Sequence, residues 1–182
     1  MHAILDKDVE IKRQLEHVFR TIQQTRMQDV PILNTALQVE AVNFQPWQDA
    51  RLGIMITPWF MNLMLLPQKN EWDALAEGNK YLHQFPSGNY EFVVGFEEAI
   101  GKYQACSLFS PVFQFDDHAT AVATAYACLD ALMRIESREQ LGSEPQQDDK
   151  QRGLNTNEAI SRRDFLRGGF LRSQSGSGAG EA

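Results

Sequence analysis

The sequence predicts an α+β fold: a mainly antiparallel sheet covered by an N-terminal and a C-terminal helix, followed by a disordered tail. Three observations carry this. Helical periodicity appears at both ends of residues 1–137. Between those ends lie short apolar or alternating runs of strand length. The connections at 45–50 and 96–102 are too short to hold crossover helices, so neighbouring strands should run antiparallel.

The first helix rests on Val9, Ile11, Leu15, Val18, Phe19 and Ile22, which fall largely on one face. Lys12, Arg13, Glu16, Arg20 and Gln23 fall elsewhere. Asp6 or Asp8 is the expected cap, because a short carboxylate accepts from the free N–H groups of a first turn. The helix should stop before Val30-Pro31, since proline disfavours a helical residue before it. Leu37, Val39 and Ala41 then alternate with Gln38, Glu40 and Val42 as a strand would, and Pro46-Trp47-Gln48-Asp49 offers a turn. Arg51 to Thr57 and Asn62 to Leu66 are apolar runs, read as two buried strands with an irregular corner at Thr57-Pro58-Trp59. Arg51, Gly53, Pro58 and Asn62 break this region too often for a membrane helix.

Glu71 to His83 carries Trp72, Leu75, Ala76 and Leu82 at rough helical spacing and is expected to be a short helix. Pro86-Ser87-Gly88-Asn89 should turn the chain. Tyr90, Phe92 and Val94 alternate with Glu91, Val93 and Gly95 as a strand. Lys102 to Phe109 is another, ended by Ser110-Pro111. The last helix should run from Asp116 or Asp117 to Ile135, burying Ala121, Ala125, Cys128, Leu129 and Leu132. Both long helices are expected on one face of the sheet. After Ser137, Gln, Glu, Asp, Gly and Ser dominate, so one domain is placed at 1–137 and a disordered linker and tail at 138–182.

Composition narrows the function classes. The 182 residues carry 17 Lys and Arg against 24 Asp and Glu, a formal charge of −7. That balance argues against nonspecific nucleic-acid binding, which needs a basic face. The acidic excess belongs to residues 1–140, with 11 bases and 18 acids, while residues 141–182 hold 6 of each. Two cysteines without a close partner exclude zinc-ribbon, rubredoxin and disulfide-scaffold chemistry, so no metal or cofactor is expected. No run of about 20 apolar residues spans a membrane. The charged Met1–Glu10 segment does not read as a secretory signal, so a cytoplasmic location is expected.

Candidate chemistry is sparse. Cys106 in an apolar strand and Cys128 on an alanine-rich helix face read as core cysteines, whose thiols burial makes unreactive. His83 and His118 are candidate acid–base groups by residue type but show no partner in sequence. The pairs Glu97-Glu98 and Asp116-Asp117 read as solvated carboxylates. Trp47, Trp59, Phe60 and Trp72 cluster around the corner with Met55, Met61 and Met64; such groups form either an adaptable apolar groove or plain core, and Met55 and Met64 read as core. In the tail, Ser161-Arg162-Arg163-Asp164-Phe165-Leu166-Arg167 is similar to the twin-arginine export motif, yet no apolar stretch follows it. The segment 161–172 is a basic island of net +3, and it could occupy a peptide site on the acidic body.

Three blocks in the body carry a resemblance. They are Leu52 to Pro67 (LGIMITPWFMNLMLLP), Phe85 to Phe92 (FPSGNYEF) and Tyr103 to Pro111 (YQACSLFSP). Together they resemble the HybE/HupJ/HoxT family of nickel–iron hydrogenase assembly chaperones over roughly residues 10–135. The resemblance implies a cytoplasmic maturation factor without catalytic residues. It also implies a hydrogenase small-subunit precursor with its twin-arginine signal peptide, and the large subunit, as partners. Some members carry a rubredoxin domain; the absence of CxxC pairs here leaves no expectation of bound iron. The expected partner-binding residues are Thr57, Pro58, Trp59 and Phe60 with Cys106, Ser107 and Phe109, and in the tail Arg162, Arg163, Phe165 and Leu166. The alternatives are a generic peptide-binding regulatory domain and an enzyme, either cysteine-dependent through Cys106 or with carboxylate chemistry at Glu97.

Overall fold

The computed structural model describes residues 2–69 and 72–134. The tail from 138 and its residues Arg162, Arg163, Phe165 and Leu166 lie outside the described residues, as does the expected helix end at Ile135.

The chain forms α1 (His2–Thr25), β1 (Glu40–Trp47), β2 (Ala50–Ile56), β3 (Met61–Pro67), β4 (Lys80–Phe85), β5 (Gly88–Glu97), β6 (Gly101–Phe109) and α2 (His118–Leu132). All six strands belong to one sheet in the order β1-β2-β3-β6-β5-β4. Every neighbouring pair is antiparallel. Two three-stranded meanders therefore meet along a seam, where Leu63 of β3 lies opposite Cys106 of β6.

The two helices cover opposite faces of the sheet, not one face as the sequence suggested. Strand alternation sorts the side chains. Leu52, Ile54, Ile56, Leu63 and Leu65 pack with Ala121, Ala125, Cys128, Leu129 and Leu132 of α2. Met55, Met64 and Leu66 pack with Leu15 and Phe19 of α1. The centre of the sheet is thus buried on both sides, which explains why all seven residues of β2 are buried and why its sequence shows little alternation. Each large apolar side chain so buried is worth about 1.5–3 kcal/mol.

Other boundaries also moved. The helix α1 starts at His2, so Asp6 and Asp8 lie inside it and neither is the cap. Asp8 instead makes an ion pair with Arg51, a buried arginine of β2. The strand β1 runs through Pro46 and Trp47, and the turn lies at Gln48 and Asp49. Proline is tolerated there because β1 is an edge strand. The expected helix at Glu71–His83 is replaced by a short turn near Trp72 and the strand β4. Its relevant pattern is Tyr81, His83 and Phe85 facing inward with Leu82 exposed, a period of two that the wider helical spacing concealed.

The turn after β4 and the capped start of α2 match the sequence. Asp117 is the N-cap: its carboxylate accepts from the Thr120 N–H at 2.7 Å and from the Thr120 hydroxyl at 2.9 Å. These bonds hold the Asp117 carboxyl below its usual range. Two glycines permit close packing across strands. A Cβ on Gly53 would lie 2.5 Å from the Phe44 ring, and one on Gly95 would lie 2.5 Å from the Tyr103 ring.

Candidate partner-binding surface

The β2–β3 corner is built by Thr57. Its backbone N–H donates to the Phe60 carbonyl at 2.9 Å, and its hydroxyl accepts from the Phe60 N–H at 3.0 Å and the Trp59 N–H at 3.3 Å. Thr57 is fully buried, so its hydroxyl closes the corner instead of meeting a partner. Trp59 and Phe60 turn toward α1. The Phe60 ring packs edge-on against Phe19 at 5.7 Å and against Trp59 at 5.6 Å.

The expected aromatic cluster does not form as one group. Trp59, Phe60, Met55 and Met64 lie on the α1 face. Trp47, Trp72 and Met61 lie on the α2 face, and Trp47 stacks on Phe85 at 4.3 Å. Met55, Met61 and Met64 are completely buried and line no open groove. Two-sided burial separates residues that adjacency in sequence had grouped.

The second expected block does reach the first. Met61, the residue after the corner, lies opposite Phe109, and Asn62 lies opposite Ser107. Thr57–Phe60 and the end of β6 therefore share one end of the sheet. Cys106 is half-buried against the α2-side core, and Phe109 packs edge-on against Phe115 at 5.2 Å. Ser107 Oγ and Asn62 Oδ1 are both buried without a hydrogen-bond partner.

Asn34, which the sequence did not single out, ties these pieces together. Its backbone N–H donates to the Pro58 carbonyl at 2.7 Å. Its side-chain amide donates to the carbonyls of Val112 at 3.0 Å and Phe115 at 2.8 Å, while its Oδ1 accepts from the Ala36 N–H at 3.0 Å. One residue, by its backbone and its side chain, thus clasps the corner to the loop after β6. Two large apolar residues flank this clasp in sequence and remain open: Phe113 at 56 % exposure and Ile32 at 38 %. Neither belongs to a periodic segment, so pattern reading could not find them; an aromatic between Pro111 and Phe115 in a loop was the available signal.

A polar junction stands where β1 begins. His118 Nδ1 accepts from the Gln38 N–H at 3.2 Å, which places the ring proton on Nε2, 2.8 Å from Glu40 Oε2. Lys12 reaches Glu40 at 3.5 Å. Burial raises the Glu40 carboxyl, but the His118 hydrogen bond and the Lys12 charge outweigh it, leaving the group below its usual range. His83 likewise has a partner, Gln104 at 2.6 Å. Glu97 accepts both bonds of Arg26 at 2.7 Å, so it is occupied as an ion pair. Burial pushes the Cys128 thiol up to about 12, which removes it as a nucleophile at neutral pH. Among the described residues, no group of three or more His, Cys, Asp or Glu could hold a metal ion, and no helix is long and apolar enough to cross a membrane.

Comparison with known proteins gives this arrangement a setting. The family model for the NiFe-hydrogenase assembly chaperone HybE matches residues 10–168, so it extends through the tail motif at 161–167. The hydrogenase expression/formation protein HupJ of Bradyrhizobium diazoefficiens is 41 % identical over 150 residues, 82 % of this chain and 83 % of that protein. Protein HoxT of Cupriavidus necator is 44 % identical over 130 residues, 65 % of this chain and 73 % of that protein. The probable rubredoxin HupJ of Rhodobacter capsulatus is 42 % identical over 121 residues; the chain spans 44 % of its length. The solution structure of HybE from Escherichia coli superposes with a TM-score of 0.56 at 22 % identity, covering 79 % of this chain and 92 % of that one, a likeness of fold.

Proposed function

Since the chain belongs to the HybE family of NiFe-hydrogenase assembly chaperones, we propose that it holds a hydrogenase small-subunit precursor by its twin-arginine signal segment, in the cytoplasm and before export. The large subunit is a second partner under this reading. Binding uses the end of the sheet clasped by Asn34, where the segments on either side of the clasp expose Phe113 and Ile32. The observation that carries the reading is the 56 % exposed Phe113, an aromatic held open on a loop whose ends are fixed. The acidic body, net −7 over residues 1–140, suits the basic end of such a segment, and the exposed apolar side chains suit its apolar stretch.

The test is capture of the small-subunit precursor by the full chain, with and without the signal segment, beside a Phe113→Ala variant. Capture that needs the signal segment and falls at least tenfold in the variant is expected. Equal failure to retain either hydrogenase subunit overturns the reading.

A further inference from the structure

The two edges of the sheet differ. The edge strand β1 is blunted: its register shifts between Val42 and Gln45, Asn43 has a φ of 50°, and Pro46 lacks an N–H. The other edge, β4, pairs with β5 without a break from Lys80 opposite Val93 to Phe85 opposite Gly88. Val94 donates to the Asn79 carbonyl at 2.9 Å, so alternation turns the N–H and C=O groups of Lys80, Leu82 and Gln84 toward the open edge. The side chain of Leu82 is 47 % exposed and that of Val93, one strand in, 38 %. Nothing in β4 discourages a further strand except the charge of Lys80, which Glu91 neutralises at 2.8 Å.

The described chain ends beside this edge. Leu132, the last residue of α2, accepts from both the N–H of Ser87 at 3.2 Å and its hydroxyl at 2.9 Å. Ser87 sits in the turn between β4 and β5. The chain beyond Arg134 therefore starts next to the β4–β5 hairpin. Twenty-six residues, 135–160, separate it from Ser161. Such a length spans up to about 90 Å when extended, against about 20 Å for the six residues of β4.

Charge favours the same occupant. Residues 72–98 hold Asp73, Glu77, Glu91, Glu97 and Glu98 against Lys80 alone. Arg26 and Lys102 offset Glu97 and Glu77, which leaves an excess of two acids. The segment 161–172 is +3 and carries Phe165, Leu166, Phe170 and Leu171 between its arginines.

We propose that segment 161–172 adds to the free edge of β4 as a seventh strand, its backbone meeting Lys80, Leu82 and Gln84 and its arginines drawn to the two excess acids that flank the hairpin in sequence, Asp73 and Glu98. This stands apart from the client-binding reading, because it concerns one chain and the edge of β4, not the sheet end clasped by Asn34. At a tethered concentration of about 1 mM, a contact with a dissociation constant of about 0.1 mM is filled about ten to one.

Amide hydrogen exchange on the full chain at micromolar dilution tests it. The comparison is with two full-length variants, Leu166→Pro, which cannot complete the ladder, and Arg162→Glu/Arg163→Glu, which removes the charge match. The expected result is about tenfold slower exchange at Leu82 and Gln84 in the parent chain than in either variant, with the difference reduced by added salt. Equal exchange in all three overturns the proposal. So does protection that appears only as protein concentration rises, since the occupant of β4 is then a second copy's edge. Neither variant touches the described domain, so loss of folding does not obscure the result.

Discussion

Asn34 and Phe115 are joined by a 2.8 Å hydrogen bond, side-chain amide to carbonyl, across 81 positions of sequence. The same amide holds Val112, so one residue fixes both ends of the segment that displays Phe113. Replacing it by alanine leaves two carbonyls without that donor and should destabilise the domain by about 1–3 kcal/mol. Asn34→Asp keeps an acceptor for Ala36 but sets a carboxylate against two carbonyl oxygens, so it should cost at least as much at neutral pH. Urea denaturation of both variants checks the order.

The Phe44 ring over Gly53 gives a second test. A methyl at residue 53 would need the ring to move, since the closest ring atoms would stand at 2.5 Å. Gly53→Ala should destabilise by about 1–3 kcal/mol, the usual range for overpacking. Adding Phe44→Leu should recover part of that loss, whereas additive losses would show that the ring is not the obstacle. Denaturation midpoints of the single and double variants decide it.

Alkylation should separate the cysteines. Cys128 is buried with its thiol pushed up to about 12, whereas Cys106 is half-buried. Iodoacetamide at about pH 8 should label Cys106 first and Cys128 only on unfolding. The raised value also sets a sign for stability. The native state keeps the Cys128 proton while the unfolded state loses it near its ordinary value of 9.0, so stability should fall as pH rises from there toward 12. Cys128→Ser should flatten that part of the profile in thermal melts.

Acid should act through Glu40. Its carboxyl is held below the usual range, so its contribution is present above the unfolded value and is lost as pH falls through the folded one. The stability gap between the parent and Glu40→Gln should shrink from about pH 6 to about pH 3. The gap itself should stay below about 1 kcal/mol, because the carboxyl is largely solvated.

The sequence revealed most of the strands, the two long helices and the antiparallel sheet, because these rest on local periodicity. The buried residues expected in α2, Ala121 to Leu132, are buried as predicted. It failed where a face must be chosen. Residues such as Met55 and Ile56 are adjacent in sequence yet lie on opposite sides of the sheet, and a fully apolar strand does not reveal which helix it meets. It failed again at β4, where an exposed Leu82 imitated a helical stripe. For the surface, it brought forward the corner and the β6 block, whose convergence the register shows. It did not bring forward Asn34, whose role depends on three distant carbonyls.

The position of α2 has a further consequence. In sequence it follows the second meander, β4–β5–β6; in space it packs over β1 and β2 of the first. The helix that ends the second meander's chain thus covers the first, which ties the two halves together. The helix acts as a cross-brace, and the domain should melt in a single cooperative step, with α2 and both meanders losing exchange protection together.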